Sequence, residues 1–318
     1  MNFIAVDGGG TKLNAIWFDE NLNLLGTAQA KGINGTISPH DECLRQIRAC
    51  FDVLFGANKP ESIDCIYNTF GNISDYVSCL EPDIKVVRTT PLGEAKGALL
   101  AGRGMESGIA IVAGTGSDAL YVGPDGKHDA VGGVGAILGD QGSGVWMARQ
   151  AVQNAVKYAQ GWGEETLLLD MLKQHLDIGE GFPHSLVKYI YASPAPFQTL
   201  GKLLPMVAEA AKAGDEPCIS AFIRGGHALA LQTVSLIRCH MDFGGHVITC
   251  GGAWKAYQPM FDEYKKTLNE YFPDVEVHRP WFEHVLAGPM KYLLDQGYTP
   301  EEARDKLLAA FPAYEWRM

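Results

Sequence analysis

Phe3-Ile4-Ala5-Val6-Asp7-Gly8-Gly9-Gly10-Thr11-Lys12-Leu13-Asn14-Ala15-Ile16-Trp17-Phe18 sets two apolar runs on either side of three consecutive glycines. Each run reads as a buried strand, and the glycines supply the turn of a hairpin between them. Glycine lets a backbone come close to a bound group, and successive N–H groups in such a loop can form an anion-binding nest. Thr11 adds a hydroxyl donor and Lys12 a charge. Asp7, at the end of its strand, is placed to hold Mg2+ through water. A plain glycine-rich turn accounts for the same residues. The loop is not a Walker loop, because Gly-Lys-Ser/Thr is absent. It is not a dinucleotide fingerprint either, because a strand follows the glycines where that fold needs a helix.

Outward from this hairpin the chain reads strand, strand, strand, helix, strand, helix. Leu22 to Ala28 continues as a third strand, Ala30 to Thr36 as loop, and about Pro39 to Phe55 as a helix with Leu44, Ile47, Phe51 and Leu54 on one stripe. Ile63 to Tyr67 and Ile84 to Val87 read as strands. Pro91 to Leu100 reads as a helix with proline in its first turn. The order then restarts, with Gly108 to Ala113 and Ala119 to Val122 forming a second hairpin around Gly114-Thr115-Gly116-Ser117. Long helices are expected over Val145 to Gln160, Glu164 to Gln174, Phe197 to Ala213 and Pro217 to Arg238. A strand is expected over His246 to Thr249, followed by helices near Ala253 to Tyr271 and Pro300 to Phe311. The small polar segment Ala101 to Ser107 serves as linker. This predicts an α/β chain of two domains, 1–106 and 107–318, the second larger and more helical.

At 318 residues the chain has room for two cores, and 47% hydrophobic with 20% charged residues is a globular composition. A formal net charge of −11 argues against nucleic acid as a partner. The seven cysteines contain no Cys-x-x-Cys pair and fit reduced, mostly buried thiols, so a structural metal site is not expected from them. No basic region leads into a long apolar stretch at the N-terminus, and Gly108 to Gly114 is too short to span a bilayer. A cytoplasmic location is the expectation, without membrane association. His128, His184, His227, His240, His246 and His278 are scattered without metal spacing, and each is assigned to surface or core.

Two further glycine segments carry chemistry. Gly132-Gly133-Val134-Gly135 and Gly139-Asp140-Gln141-Gly142-Ser143-Gly144 fall within thirteen residues. So many glycines cost backbone entropy, so something must approach this backbone closely. Asp140 either accepts hydrogen bonds from substrate hydroxyls or caps the helix that follows. Cys250-Gly251-Gly252-Ala253-Trp254-Lys255-Ala256 offers a flat backbone surface for an adenine, or an ordinary strand-to-helix turn.

Taken in order, these motifs resemble the superfamily of actin-like sugar kinases and heat-shock-chaperone ATPases. More closely they resemble its N-acetylglucosamine kinase branch, grouped with the BadF/BadG/BcrA/BcrD-type ATPases. The resemblance spans nearly the whole chain and is most specific from Gly114 to Ser143. The family usually has Glu at Gln141 and Trp at Val134. It implies two actin-like, ribonuclease H-like domains around a nucleotide cleft, ATP and Mg2+ as cofactors, a sugar acceptor and, by analogy, a homodimer. Gly8, Gly9, Gly10, Thr11 and Lys12 become the first phosphate loop, with Asp7 near the metal. Gly114, Thr115 and Gly116 become the second phosphate loop, and Gly251, Gly252 and Ala256 the border of the adenosine. Asn34, Ser117, Asp118, Gly133, Val134, Gly135 and Asp140 match sugar-site positions.

The family's catalytic base is an Asp at the start of the helix after the first domain's last strand. Alignment on Leu92 to Ala98 puts Thr90 there, and a threonine hydroxyl is no base near neutral pH. Asp140 or Asp118 could replace it. Glu94 lies a turn further on, with its direction on the helix against it. Otherwise the chain would bind nucleotide and sugar without efficient transfer. The leading expectation is an ATP-dependent kinase of an amino sugar or related hexose, and the alternative is a sensor or pseudo-kinase. An activator of radical dehydratases, with a cysteine-bound iron–sulfur cluster, would have to rely on Cys250.

Overall fold

The computed structural model describes residues 1–35, 38–176 and 181–318. The first unit runs β1 (Asn2–Gly8), β2 (Lys12–Asp19), β3 (Leu24–Lys31), α1 (His40–Phe55), β4 (Ser62–Ile63), β5 (Cys65–Asn68), α2 (Ile73–Leu80), β6 (Lys85–Val86), β7 (Thr89–Pro91) and α3 (Gly93–Arg103). The second runs β8 (Gly108–Ala113), β9 (Ser117–Val122), β10 (His128–Gly132), α4 (Gly135–Leu138), α5 (Gly144–Ala159), α6 (Leu168–His175), α7 (His184–Tyr191), α8 (Pro196–Gly201), α9 (Leu204–Lys212), α10 (Glu216–Cys239), β11 (His246–Cys250), α11 (Gln258–Tyr271) and β12 (Glu276–His278). Two helices close the chain, α12 (Ala287–Asp295) and α13 (Pro300–Ala310).

Among the described residues there are two five-stranded sheets, ordered β3-β2-β1-β5-β7 and β10-β9-β8-β11-β12. Each opens with an antiparallel meander and ends with parallel strands. The repeat inferred from the two glycine hairpins is therefore a repeat of topology, as two actin-like domains require. Sequence alternation explains why both faces of the first sheet are covered. Phe3, Ala5, Ile16, Phe18, Cys65 and Tyr67 enter one core, while Ile4, Val6, Leu13, Ala15, Trp17 and Ile66 enter the other with α1. A strand points successive side chains to opposite faces, so an unbroken apolar run is the mark of a strand buried on both.

Several expected bounds move. β3 extends to Lys31, past the expected start of the loop at Ala30, and Thr36 lies outside the described residues. The helix expected over Phe197 to Ala213 is split into α8 and α9. β10 and β12 were not foreseen. Pro91 closes β7 instead of opening a helix, and α3 begins at Gly93. Gly93 takes φ 72°, a left-handed conformation that glycine adopts without strain, and this lets the chain turn from strand to helix.

The division at 106/107 also needs correcting. Phe282, Val285, Leu286, Met290, Leu293, Leu307 and Phe311 pack with Phe3, Phe18 and Tyr67 of the first sheet. The chain therefore crosses back after β12, and α12 and α13 belong to the first core. α3 stands between the sheets. Leu92 just before it, with its Leu100 and Ala101, faces the first core, and Ala95, Ala98 and Leu99 pack against Ala110, Val122, Ile248 and Cys250 of the second sheet. No helix among the described residues is long and apolar enough to cross a membrane.

Candidate active site

The parallel strand ends and both glycine hairpins converge at the cleft between the two sheets. The first loop, Gly8 to Lys12, joins β1 to β2, and the second, Gly114 to Gly116, joins β8 to β9. They meet directly, with the hydroxyls of Thr11 and Thr115 hydrogen bonded at 2.5 Å. The side-chain amide of Gln198 donates to the Gly10 carbonyl at 3.4 Å. Gly9, Gly114 and Gly252 have room for a Cβ, so their openness serves something other than local packing. Gly32 is the opposite case. A Cβ there would lie 2.5 Å from the Gly9 carbonyl oxygen, so the segment leading to Asn34 rests on the first loop. Ile33 N–H donates to that same carbonyl at 3.1 Å, which carries Asn34 to the cleft edge beside the loop.

Gly251, with φ 102°, would place a Cβ 2.4 Å from the Ala113 carbonyl oxygen. Only glycine allows the end of β11 to lie so close to the start of the second glycine loop. Gly252 to Lys255 then forms a 3-10 turn ending at Ala256, before α11. Cys250 is buried at the strand end, and burial raises its thiol well above the ordinary range. Such a thiol packs; it is not a poised metal ligand.

Asp7 ends β1 at the base of the first loop. The Thr69 hydroxyl donates to its Oδ1 at 2.8 Å, and His284 Nδ1 lies 3.1 Å from the same oxygen. Burial alone would raise this carboxyl. The charge and hydrogen bond of His284, then Thr69 and the charge of Lys12, outweigh it and hold Asp7 below the ordinary carboxylate range. Burial conversely lowers His284, and Asp7 with Glu94 more than reverses that, so the imidazole is raised. An ionised carboxylate with both recorded contacts on Oδ1 suits a hard divalent cation on its other oxygen, which fits the Mg2+ expectation. Neither Thr69 nor His284 was foreseen. His284 sits some 280 residues away in sequence, and only the chain's return to the first domain brings it here.

The carboxylates opposite this corner are the main finding. Glu94 stands in the first turn of α3 and is half-buried. Burial raises its carboxyl; His284 lowers it and Asp7 raises it further. Asp118, on β9, is pushed up to about 7 by burial first and then by the charges of Glu94 and Asp140. Asp140 is 7% exposed and is raised by burial, against hydrogen bonds from the Gly135 and Ser117 main chain. It accepts from Gly135 N–H at 3.2 Å and does not cap α5. Ser143 is the cap, accepting from Trp146 N–H at 3.1 Å. Gly133 N–H donates to the Ser117 carbonyl at 3.0 Å, and the Ser117 hydroxyl donates to the Gln141 carbonyl at 3.0 Å. These bonds fold Gly132 to Gly144 around Asp118 and Asp140. Val134 is 58% exposed on the rim of this fold.

Thr90 is not part of the cluster. It lies within β7 opposite Tyr67, and its hydroxyl is hydrogen bonded to Cys65 Sγ at 3.3 Å. The carboxylate at the start of the helix after the first domain's last strand is Glu94. The expected helix start at Pro91 was early: α3 begins at Gly93, with Glu94 in its first turn. Glu94 lies within electrostatic reach of Asp7, His284 and Asp118.

The chain is 29% identical over 292 residues to the N-acetylmuramic acid/N-acetylglucosamine kinase of Clostridium acetobutylicum, covering 86% of this chain and 92% of that one. Its fold is similar to a crystal structure from Porphyromonas gingivalis solved as a candidate N-acetylglucosamine kinase. The TM-score is 0.69 and the identity 19%, covering 93% of this chain and all of that one. It is also similar to a ROK family glucokinase from Streptomyces griseus in complex with glucose and AMPPNP, at TM-score 0.56 and 16% identity, covering 92% of this chain and 98% of that one. The fold is thus that of actin-like ATPases and ROK-type sugar kinases. The model of the BadF/BadG/BcrA/BcrD ATPase family matches residues 4–282, and the chain belongs to that family.

Proposed function

We propose that this chain transfers the γ-phosphoryl group of ATP to a hydroxyl of an amino sugar, N-acetylglucosamine or a related hexose, with Glu94 as the base. The observation that carries this is the place of Glu94 in the first turn of α3, close enough to Asp7 and Asp118 for their charges to act on one another. A carboxylate at that position favours the kinase over the pseudo-kinase.

The remaining roles are assigned on the same reading. Gly8 to Lys12 and Gly114 to Gly116 hold the phosphates from two sides, and Gly251, Gly252 and Ala256 border the adenosine. Asp7 would hold Mg2+, which would neutralise charge on the phosphate oxygens. Asn34, Asp118 and Asp140 take the sugar hydroxyls, within the loop of Ser117, Gly133, Val134 and Gly135. The acceptor oxygen attacks the γ-phosphorus, its proton passes to the Glu94 carboxylate, and ADP carries away the electron pair of the broken bond. A carboxyl raised by burial is a stronger base once ionised, nearer the value a general base needs at neutral pH. Closure of the domains excludes water as a rival acceptor.

Glu94→Gln should lower kcat by about 10²–10⁴-fold while leaving stabilisation by ATP and sugar in place. Thr90→Val should leave kcat within about threefold, since its hydroxyl only bonds Cys65. A Glu94→Gln enzyme as fast as the wild type would refute the assignment. The acceptor itself is read from thermal stabilisation across a panel of sugars, because a ligand of the folded state raises the melting temperature.

A further inference from the structure

The parallel ladder between β11 and β12 brings together two histidines that lie 32 positions apart. His246 is paired with Glu276, and Ile248 with His278, so all three polar side chains stand on one face of the sheet. His246 Nδ1 lies 3.0 Å from His278 Nε2 and 3.6 Å from a Glu276 carboxylate oxygen, and that oxygen is 3.4 Å from His278 Nε2. These separations put a common point about 1.9–2.1 Å from all three donors, the bond range of zinc to imidazole and carboxylate. Tetrahedral zinc spaces its ligand atoms at about 3.3 Å, close to all three edges of this triangle.

We propose that His246, Glu276 and His278 form a transition-metal site of the zinc class, with water in the fourth position. Two imidazoles with one carboxylate select such ions over Mg2+ or Ca2+, which prefer oxygen ligands alone. The strand ladder fixes the ligands before the metal arrives, so little ordering is left to be done on binding. In the metal-free pair one imidazole donates to the other, and that ring shifts its proton to its outer nitrogen as the metal enters. The charges of Arg103 and Lys265 oppose a cation here, and the Glu276 carboxylate offsets them.

The site joins the first residue of β11 to both ends of the three-residue β12, at the far end of β11 from Cys250 and Gly251, so it is not part of the nucleotide cleft. Its place indicates its work. β12 has only three residues at the sheet edge, and directly beyond it Trp281 and Phe282 donate to the Gly102 and Ala101 carbonyls as the chain crosses back to the first domain. A metal there clips the edge strand to its neighbour and anchors the crossing.

Titration of the full chain with Co2+ as probe should give one equivalent bound, with the visible d–d absorption of a tetrahedral site, and Zn2+ should displace it. Zn2+ should also raise the melting temperature. His246→Ala/His278→Ala should abolish the absorption, and Glu276→Gln, at an exposed side chain, should weaken binding by at least about 10-fold. His128→Ala should change nothing. Wild-type protein that takes up no stoichiometric cobalt overturns the proposal, and so does a Glu276→Gln or double-histidine variant, folded by circular dichroism, that binds as the wild type does.

Discussion

At the scale of single residues, the cleft concentrates carboxylates more densely than the solvent would allow. Asp118 carries most of the cost, pushed up to about 7 while an unfolded Asp ionises near 3.8. A folded-state value above the unfolded one means that the unfolded chain gives up its proton first as pH rises. Asp118 therefore destabilises the fold progressively from about pH 4 to pH 7, with the full cost above pH 7. Asp118→Asn should stabilise the protein by about 1–2 kcal/mol at pH 8, with a gain that shrinks toward pH 4. A gain independent of pH in thermal melts would show that charge is not its source. Asp118 and Asp140 were both legible in the sequence, because glycines announced a backbone under close approach. Glu94 was legible as a candidate one turn beyond Thr90, but its surroundings were not, because the proline that could open a helix in fact ends a strand. Asp7 was visible at its strand end. Its partners Thr69 and His284 were not, since nothing local connects residues so distant along the chain.

At the scale of elements, α3 decides how closely the two sheets approach. Gly102 would place a Cβ 2.3 Å from Ile248 Cγ2, and Gly97 would place one 2.6 Å from His284 Nε2 and from Thr69 Cγ2. One glycine admits the second sheet, and the other admits the groups that hold Asp7. Gly102→Ala should destabilise by about 1–3 kcal/mol, the usual cost of overpacking. Ile248→Ala in the same chain should recover part of that loss in denaturant unfolding, because the two changes share one contact. Strictly additive losses would mean that the clash lies elsewhere. Elements with a strong period or an unbroken apolar run were read correctly from the sequence, including β1, β2, β8, α1 and α10. The three-residue β12 has no such signal. Only pairing with β11 makes it a strand, and so its two histidines and one glutamate remained an unrelated set until the ladder placed them together.

At the scale of the whole molecule, the expected two domains are present but the chain does not divide cleanly in two. Phe311 is buried against Phe18, their rings edge to face with centroids 6.2 Å apart, so the last helix completes the first core. Phe311→Ala should cost about 3–5 kcal/mol. The loss should appear as faster proteolysis near β2 and β3, with the second domain's helices still protected in hydrogen exchange. Equal loss of protection in both domains would mean that they unfold as one unit. The return of the chain also bears on its synthesis. Phe3 and Phe18 leave the ribosome well before the residues that cover them, with the whole second domain made in between. Until those residues emerge the first sheet carries an uncovered apolar face while the second domain can already mature. The lobe that is born first is thus the last to close, and a nascent chain stalled before Phe282 would present that bare face to chaperones.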